Sequence, residues 1–467
     1  MVFLDRQHSV AKPGFNRWLV PPAALAVHLS IGQIYAYSVF NRPLSEHGGW
    51  SLLAIGVIFQ IALAVLGASA AVFGKWVERV GPRKSMFTSA CFFAGGFLVA
   101  ALGAATKQLW LIYLGNGLLG GIGLGIGYIS PVSTLIKWFP DRPGVATGMA
   151  IMGFGGGAMI ASPLSVALMN FFGGGVQANG ITQTYVTLAV IYFAFMMFGV
   201  FLVRVPREGW KPAGYVTPTK STNSMITTAN VTVENAMRTP QFWLLFAVLF
   251  LNVTAGIGIL GQASVMIQEM FSDAIVGAGA GVTAVVAAGY VGLLSLFNMG
   301  GRFLWASLSD RIGRKPTYAI FFSLGAILYF VIPLTNNIPS VPLFVMASAV
   351  VMTMYGGGFA TIPAYLRDMF GTMNVGAIHG RLLLSWSAAA IVGPYLVNGL
   401  RQFQIDRGVA PAEAYNLTMY IMVGLLLLGF VCNLLVRPVD PRFHHVETKD
   451  TPLLPTEGNA GKRVSGD

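Results

Sequence analysis

The residues from Asn298 to Lys315, NMGGRFLWASLSDRIGRK, combine a long apolar run, one arginine inside it, and a burst of charge at its end. Arg302 precedes Asp310 by eight residues, which in an α-helix places it about 12 Å deeper along the axis. A charge held that deep in hydrocarbon costs about 2.5 to more than 10 kcal/mol, so it requires a partner or a water-filled cavity. What Arg302 pairs with is therefore the central question about function.

The composition of the chain indicates an all-α integral membrane protein. Of its 467 residues 55% are hydrophobic and only 10% are charged, whereas soluble domains carry about 25% charged residues. The net charge of +12 comes from short basic clusters between apolar runs, a pattern typical of membrane-protein loops, so we expect no nucleic-acid partner. Cys91 and Cys432 lie inside apolar runs and imply no disulfide framework. We expect no cofactor, no metal and a monomer in the lipid bilayer.

The apolar runs divide the chain into two halves. A membrane-spanning helix needs about 20 apolar residues, which predicts twelve transmembrane helices in two six-helix bundles, residues 1–205 and 241–436. A polar cytoplasmic linker, 206–240, joins the bundles, and a tail, 437–467, is expected to be disordered. The predicted spans are 18–40, 52–74, 85–105, 109–136, 143–172, 184–204, 241–268, 277–307, 316–335, 342–365, 373–400 and 414–436.

The distribution of positive charge predicts the orientation. With twelve spans, four of the 29 Lys and Arg residues, Arg42, Lys107, Arg401 and Arg407, fall on the side opposite the termini. Apart from Arg302, all the others fall on the side of both termini. Because positive residues concentrate in cytoplasmic loops, both termini are predicted to be cytoplasmic, as in a bacterial inner (plasma) membrane.

A repeated loop sequence supports the division into halves. The first copy is GKWVERVGPRK, from Gly74 to Lys84, and the second is ASLSDRIGRK, from Ala306 to Lys315. Their shared spacing resembles the cytoplasmic signature of the major facilitator superfamily, G-x-x-x-D-R-x-G-R-K, which occurs once in each half. That resemblance implies conformational-gating loops that make charge contacts when the cytoplasmic side is closed. The candidate gating residues are Gly74, Glu78, Arg79, Gly81, Asp310, Arg311, Gly313 and Arg314.

No Asp or Glu falls inside any predicted span, so Arg302 lacks an obvious internal counter-ion. A transported anion would fill that role, and an arginine fork suits a carboxylate because two parallel N–H groups match two oxygens. Asn298, one turn earlier, lies on the same helix face and could hold either the anion or the guanidinium. The alternative is a structural arginine bonded to backbone carbonyls at a helix break, which Gly300 and Gly301 leave open.

Three segments resemble the oxalate/formate antiporter family within that superfamily. They are WFPDRPG from Trp138, MRTPQFW from Met237, and the stretch from Asn298 to Arg314. The resemblance covers roughly residues 14–437 and implies that Arg302 binds a substrate carboxylate inside an aromatic cage. The cage positions it implies are Tyr35, Tyr37, Tyr128, Phe154, Tyr355 and Phe359.

One departure from that family bears on the substrate. Its oxalate-exchanging members carry a lysine in span 11, where this chain has Trp386. A dianion facing a single fixed charge would be left partly uncompensated in a low-dielectric site, so we expect a monocarboxylate such as formate, lactate or pyruvate. A dicarboxylate that carries a proton or recruits His379 or Arg381 remains an alternative. His28 is a candidate proton carrier, with a histidine held by neighbouring helices as the structural alternative.

The sequence thus predicts a secondary transporter, not an enzyme, that carries a small organic anion by exchange or with a proton. Alternating access would take place around Arg302. An oxalate/formate exchanger, an exporter of hydrophobic drugs and a non-transporting carboxylate sensor are the alternatives.

Overall fold

The structure is a computed structural model, and it describes residues 2–215, 225–336 and 340–445. Twelve long helices make up the fold, and we number them α1 to α12 in chain order. In the first half they are α1 (Arg17–Gly48), α2 (Leu52–Val80), α3 (Pro82–Ala105), α4 (Leu109–Trp138), α5 (Pro143–Phe172) and α6 (Ile181–Leu202). In the second half they are α7 (Pro240–Met270), α8 (Ala284–Ile312), α9 (Arg314–Val331), α10 (Val341–Phe370), α11 (Val375–Asp406) and α12 (Asn416–Leu435).

Eleven stretches of the described chain are helical, long and apolar enough to cross a membrane. The twelfth helix, α8, is 29 residues long. It carries Asn298, Arg302, Asp310 and Arg311, and these polar residues lower its mean hydropathy. The predicted all-α membrane protein of two six-helix bundles is confirmed.

The helices begin and end where local sequence dictates. Hydroxyl side chains at Ser51 and Thr239 accept hydrogen bonds from the first turns of α2 and α7, which satisfies backbone N–H groups that have no partner in the helix. Gly81 and Gly313 end α2 and α8 with φ of +83° and +91°. Glycine adopts this backbone region without the steric cost that a side chain brings, which explains its place in both copies of the loop signature.

The two halves repeat each other in register. Pro131 lies inside α4 and Pro363 inside α10. The number of residues between these two prolines equals the number between Glu78 and Asp310, the acids of the two loops. Further pairs at that separation are Gly74 and Ala306, Gly144 and Gly376, Gly148 and Gly380, and Phe154 and Trp386. The fold therefore places equivalent residues of the two halves about a pseudo-two-fold axis.

The halves meet through two equivalent helix pairs, α5 with α8 and α2 with α11. A Cβ added to Gly144 on α5 would lie 2.0 Å from the carbonyl oxygen of Ala306 on α8, and one added to Gly74 on α2 would lie 2.8 Å from Cα of Ala377 on α11. In the α2–α11 pair the glycine at the contact is Gly74 of the loop signature. In the α5–α8 pair it is Gly144, which lies on the helix that faces the loop signature. This exchange explains why the second loop signature tolerates Ala306 at its glycine position.

The start of the predicted disordered tail is instead ordered. His445 donates its backbone N–H to the carbonyl of Asn230 at 2.7 Å, and Asn235 donates to the carbonyl of Phe443 at 3.2 Å. Backbone pairing with the linker gives these tail residues partners that a solvated chain lacks, so the prediction of disorder is wrong for 437–445. Residues 446–467 of the predicted tail and 216–224 of the predicted linker lie outside the described residues.

Candidate functional site

Arg302 lies at the interface of the halves and has no solvent-exposed surface. Its Nε donates to Oδ1 of Asn298, one turn earlier on α8, at 3.1 Å, and its Nη1 donates to the carbonyl of Ile151 on α5 at 3.4 Å. Within the described parts of the chain no carboxylate forms an ion pair with it. A buried guanidinium is thereby oriented by two neutral oxygens while its charge stays uncompensated.

Aromatic rings from both halves enclose the guanidinium. Its carbon lies 5.7 Å from the ring centroid of Phe154 and 5.3 Å from that of Phe359, within the range of cation–π attraction. Trp386 packs on Phe359 at 4.6 Å and on Phe154 at 5.6 Å. Six rings in mutual contact form what we call the aromatic cage: Tyr35, Tyr128, Phe154, Tyr355, Phe359 and Trp386.

The polar atoms of the cage share one property: each can donate a hydrogen bond, and each is buried without a partner. The hydroxyls of Tyr35 and Tyr128 face the Arg302 guanidinium, and that of Tyr355 faces Tyr35, at separations or angles unsuited to a hydrogen bond. A buried donor without an acceptor costs about 1–3 kcal/mol, so their convergence indicates a site for a ligand that supplies acceptors. The unpartnered donors are Nη2 of Arg302, Nε1 of Trp386 and the three tyrosine hydroxyls.

Two buried histidines flank the cage. The imidazole of His28 stacks on the ring of Tyr128 at 5.3 Å, and its two nitrogens lie 2.7 Å from the carbonyl of Ala150 and 3.1 Å from the carbonyl of Tyr128. His379, on α11 of the other half, also contacts Tyr128, with the two ring centroids 5.8 Å apart, and its Nε2 is buried without a partner.

One end of the molecule, which we call the charged face, carries both loop signatures and is closed. Asp310 at the end of α8 accepts hydrogen bonds from the backbone N–H groups of Gly144 and Val145, at 2.8 and 2.9 Å, in the first turn of α5. Glu78 at the end of α2 accepts one from Gly376 in the first turn of α11 at 3.1 Å. Each acid therefore joins the two halves through a helix N-terminus, where a negative charge is stabilised by the unpaired N–H groups and the helix dipole.

Basic residues hold these two acids in place. Lys137 on α4 forms an ion pair with Glu78. Arg314 reaches Asp310 at 2.5 Å and Asp368, near the end of α10, at 3.0 Å. Arg367 binds Asp368 at 3.0 Å and the carbonyl of Pro140, in the first half, at 3.2 Å. The contacts across the halves on this face are thus hydrogen bonds of charged groups, which can break and re-form as the helix ends separate.

A two-bundle fold with a buried arginine at the interface, and with acids on one face hydrogen-bonded between the halves, matches a known architecture. The family model of the Major Facilitator Superfamily matches residues 23–394 and 291–461. The chain belongs to the Major Facilitator Superfamily. It is accordingly a multi-pass membrane transporter and not an enzyme, as the sequence predicted.

Relatives of this transporter include carriers of organic anions. It is 26% identical over 443 residues to the oxalate:formate antiporter of Oxalobacter formigenes, which covers 95% of this chain and 96% of that one. It is 30% identical over 157 residues to human monocarboxylate transporter 11, covering 33% of each chain. The fold is similar to that of the fucose:proton symporter FucP of E. coli, with a TM-score of 0.63, 14% identity, 91% of this chain and 100% of that one covered. The resemblance to the superfamily and to its oxalate/formate antiporters is therefore confirmed.

The structure brings together most of the predicted site residues of this transporter. Tyr37 lies elsewhere: its hydroxyl is 3.2 Å from that of Tyr185 on α6 and accepts a hydrogen bond from Asn116 on α4. Arg79 and Arg311 are exposed on the charged face, while the remaining gating residues take part in the contacts described above or end the helices. The residues gathered around Arg302 are Asn298, Tyr35, Tyr128, Phe154, Tyr355, Phe359 and Trp386.

The partners of the two loop acids were not among the predicted residues. Gly144 and Gly376 receive Asp310 and Glu78, and Gly148 and Gly380 follow each of them by four residues on the same helix face. The signal was present as GVATG from Gly144 and GAIHG from Gly376, two glycine pairs at the separation that also relates the loop signatures. Small residues four apart let membrane helices approach closely.

Proposed function

We propose that the protein is a secondary transporter of small monocarboxylates, such as formate, lactate or pyruvate. The two halves alternate access to a site at Arg302. The observation that carries this proposal is the convergence of donors without acceptors on one uncompensated guanidinium. A carboxylate supplies two oxygens and one negative charge, which pairs with Nη2 of Arg302 and accepts from the cage hydroxyls.

The apolar faces of the cage favour a small, flat ligand with one charge. The cage positions around the guanidinium are filled by the rings of Phe154, Phe359 and Trp386. These rings offer a bound anion no fixed positive charge besides that of Arg302. Arg381, on α11 as well, donates instead to the carbonyl of Ala377 in its own helix at 3.0 Å. One guanidinium balances one carboxylate, and a second carboxylate would keep an uncompensated charge in a low-dielectric site.

The second candidate is exchange of oxalate for formate, which the name of the Oxalobacter formigenes relative supports. For a dianion to bind here it would have to be half-protonated or take up another cation. The same uptake experiment separates the two candidates if formate, lactate, pyruvate, oxalate and malonate are compared.

In the transport cycle that we propose, the charged face is the cytoplasmic side, because the positive residues concentrate there. Closing it joins Asp310 to the first turn of α5 and Glu78 to that of α11. Opening it separates α5 from α8 and α2 from α11, which exposes Arg302 to the cytoplasm. The carboxylate leaves when water replaces the cage donors.

The test is uptake of labelled monocarboxylates into proteoliposomes. Arg302→Ala should lose at least about a hundredfold in uptake, because a buried charged hydrogen-bond pair is worth about 3–5 kcal/mol. Arg302→Lys keeps the charge but not the two-pronged geometry, so its uptake should fall too, though by less. Arg42→Ala, which removes an exposed arginine paired with Glu46, is the control and should transport normally.

Folding of the variants is checked by their elution as a single monodisperse peak and by thermal unfolding. Normal uptake by folded Arg302→Ala would refute the proposed site. Export of hydrophobic cations without carboxylate flux would assign the fold to drug transport. Saturable carboxylate binding without flux would assign it to sensing.

A further inference from the structure

The imidazole of His28 sits between two acceptors. Nδ1 lies 2.7 Å from the carbonyl oxygen of Ala150, and Nε2 lies 3.1 Å from the carbonyl oxygen of Tyr128. A neutral imidazole has one N–H and one lone pair, so it satisfies one of these carbonyls and directs its lone pair at the other. An imidazolium has two N–H groups and satisfies both. Both carbonyls are therefore placed to accept from a protonated His28, at a position with no solvent-exposed surface.

Burial and nearby positive charge both oppose that protonation. Arg302 on α8 acts on His28 through space, and His28 acts in the same way on His379 of α11. The ring of Tyr128 on α4 stacks on it, and α5 contributes the Phe154 ring and the Ala150 carbonyl. The tyrosines of α6 face elsewhere: Tyr185 bonds to Tyr37, and Tyr192 packs on Phe93 and Phe97. Among these groups of the described chain none is a carboxylate.

A bound carboxylate changes this balance. Its negative charge neutralises Arg302, and the repulsion between the guanidinium and a second cation at His28 then disappears. The two carbonyl oxygens are already in place to accept from the new imidazolium. Binding of the anion at Arg302 and of a proton at His28 therefore favour each other, and by thermodynamic linkage the effect is reciprocal.

We infer that His28 is the proton-coupling residue of this transporter, taking up one proton when the carboxylate binds and releasing it when the carboxylate leaves. This inference rests on the proposed monocarboxylate transport. The proton from solution bonds to the imidazole nitrogen that carried the lone pair, and both N–H groups then donate to the carbonyls of Ala150 and Tyr128. The loaded site carries Arg302, His28 and one carboxylate, so substrate and proton move together across the membrane.

Proton uptake on binding is the direct test. Purified wild-type protein in weakly buffered detergent solution with a pH indicator should take up close to one proton per lactate bound, at a pH where lactate itself is ionised. Lactate affinity should rise as the pH falls, by up to about tenfold per pH unit, because one proton is coupled to one anion. Binding of lactate without proton uptake and with no pH dependence would overturn the inference and leave the proposed function standing.

Variants then assign the proton to the residue. In proteoliposomes, His28→Gln should reduce lactate accumulation driven by an imposed proton gradient at least tenfold relative to its own lactate-for-lactate exchange rate. His47→Gln removes another histidine that bonds a carbonyl, that of Ala104 at 2.9 Å, and should keep the wild-type ratio. His379→Gln tests the second histidine of the cage.

The possible outcomes distinguish a failure of the inference about His28 from a failure of the proposed monocarboxylate transport. Proton uptake that persists in His28→Gln with lactate still bound would place the proton on the substrate or another group and overturn the inference. Loss of proton uptake in His379→Gln but not in His28→Gln would do the same. Absence of any monocarboxylate binding or flux in wild-type protein would instead refute the proposed function.

Discussion

Trp386 places an apolar ring in the aromatic cage beside Arg302. It is 1% exposed, contacts four other rings of the cage and occupies the place in the second half that Phe154 occupies in the first. An apolar ring here leaves Arg302 as the one fixed cation that the described cage offers to a ligand. We therefore expect Trp386→Lys to supply a second cation and to favour oxalate over formate, by tenfold or more in the ratio of their inhibition constants.

The measurement is competition of unlabelled oxalate and formate against labelled substrate in proteoliposomes. Trp110→Lys makes the same replacement at a position that is 59% exposed at the start of α4, and its oxalate-to-formate ratio should equal that of the wild type. An unchanged ratio in folded Trp386→Lys would show that charge at this position does not select the substrate.

At the scale of single residues, the sequence predicts Arg302 better than it predicts the side chains that surround Arg302. Arg302 was recognisable because no predicted span contains an Asp or Glu to neutralise it, and that argument needs no structure. Tyr35 and Tyr37 could not be distinguished, because both are tyrosines of one span. The structure winds Gly32–Phe40 as a 3₁₀-helix, in which residues two apart project in different directions. Tyr35 therefore reaches the cage, and Tyr37 turns toward Tyr185.

At the scale of the helices, α5 and α8 approach each other closely where the halves meet. A methyl group on Gly144 would lie 2.0 Å from the Ala306 carbonyl oxygen and 2.7 Å from Oδ1 of Asp310, and the carbonyl, as part of the backbone, cannot move without shifting α8. We expect Gly144→Ala to force α5 from α8, disrupt the closed charged face and lower monocarboxylate uptake at least tenfold.

The matched control is Gly95→Ala on α3. A Cβ at Gly95 meets nothing within 4 Å, and alanine is about 1 kcal/mol more favourable than glycine in a helix interior. This variant should keep its uptake within twofold of wild type and unfold at an equal or higher temperature. Equal uptake by Gly144→Ala and Gly95→Ala would contradict the role of the α5–α8 contact in closure.

The sequence predicted the helices well and their contacts poorly. Length and hydropathy located twelve spans, because a bilayer imposes one dominant requirement on each. The gating contacts join residues far apart in the chain, such as Glu78 with Gly376, and hydropathy carries no information about such pairs. Only the repeat of spacing between the halves encodes them. The ordering of residues 437–445 on the linker was missed for the same reason, since it depends on backbone hydrogen bonds to Asn230 and Val231.

For the whole molecule, the transport cycle that we propose requires the halves to separate on the charged face, and the structure offers a place to prevent this separation. A Cβ at Gly148 on α5 would lie 3.3 Å from the Cβ of Ala306 on α8, close to the distance of about 3.5–4.5 Å found in disulfides. Gly148→Cys combined with Ala306→Cys, with Cys91 and Cys432 replaced by serine, should form a bond between the halves on oxidation. Uptake should then fall at least tenfold and recover on reduction.

Each single-cysteine variant in the same background is the control, and its uptake should not respond to the oxidant. Crosslinking is followed by mass spectrometry of the fragment that joins α5 and α8, so a loss of uptake can be compared with the fraction bonded. If the halves rock as rigid units about Arg302, uptake falls in proportion to that fraction, since one bond between them holds the face closed. Full uptake by completely crosslinked protein would mean that the substrate crosses without separation of α5 and α8, and the gate would have to lie elsewhere.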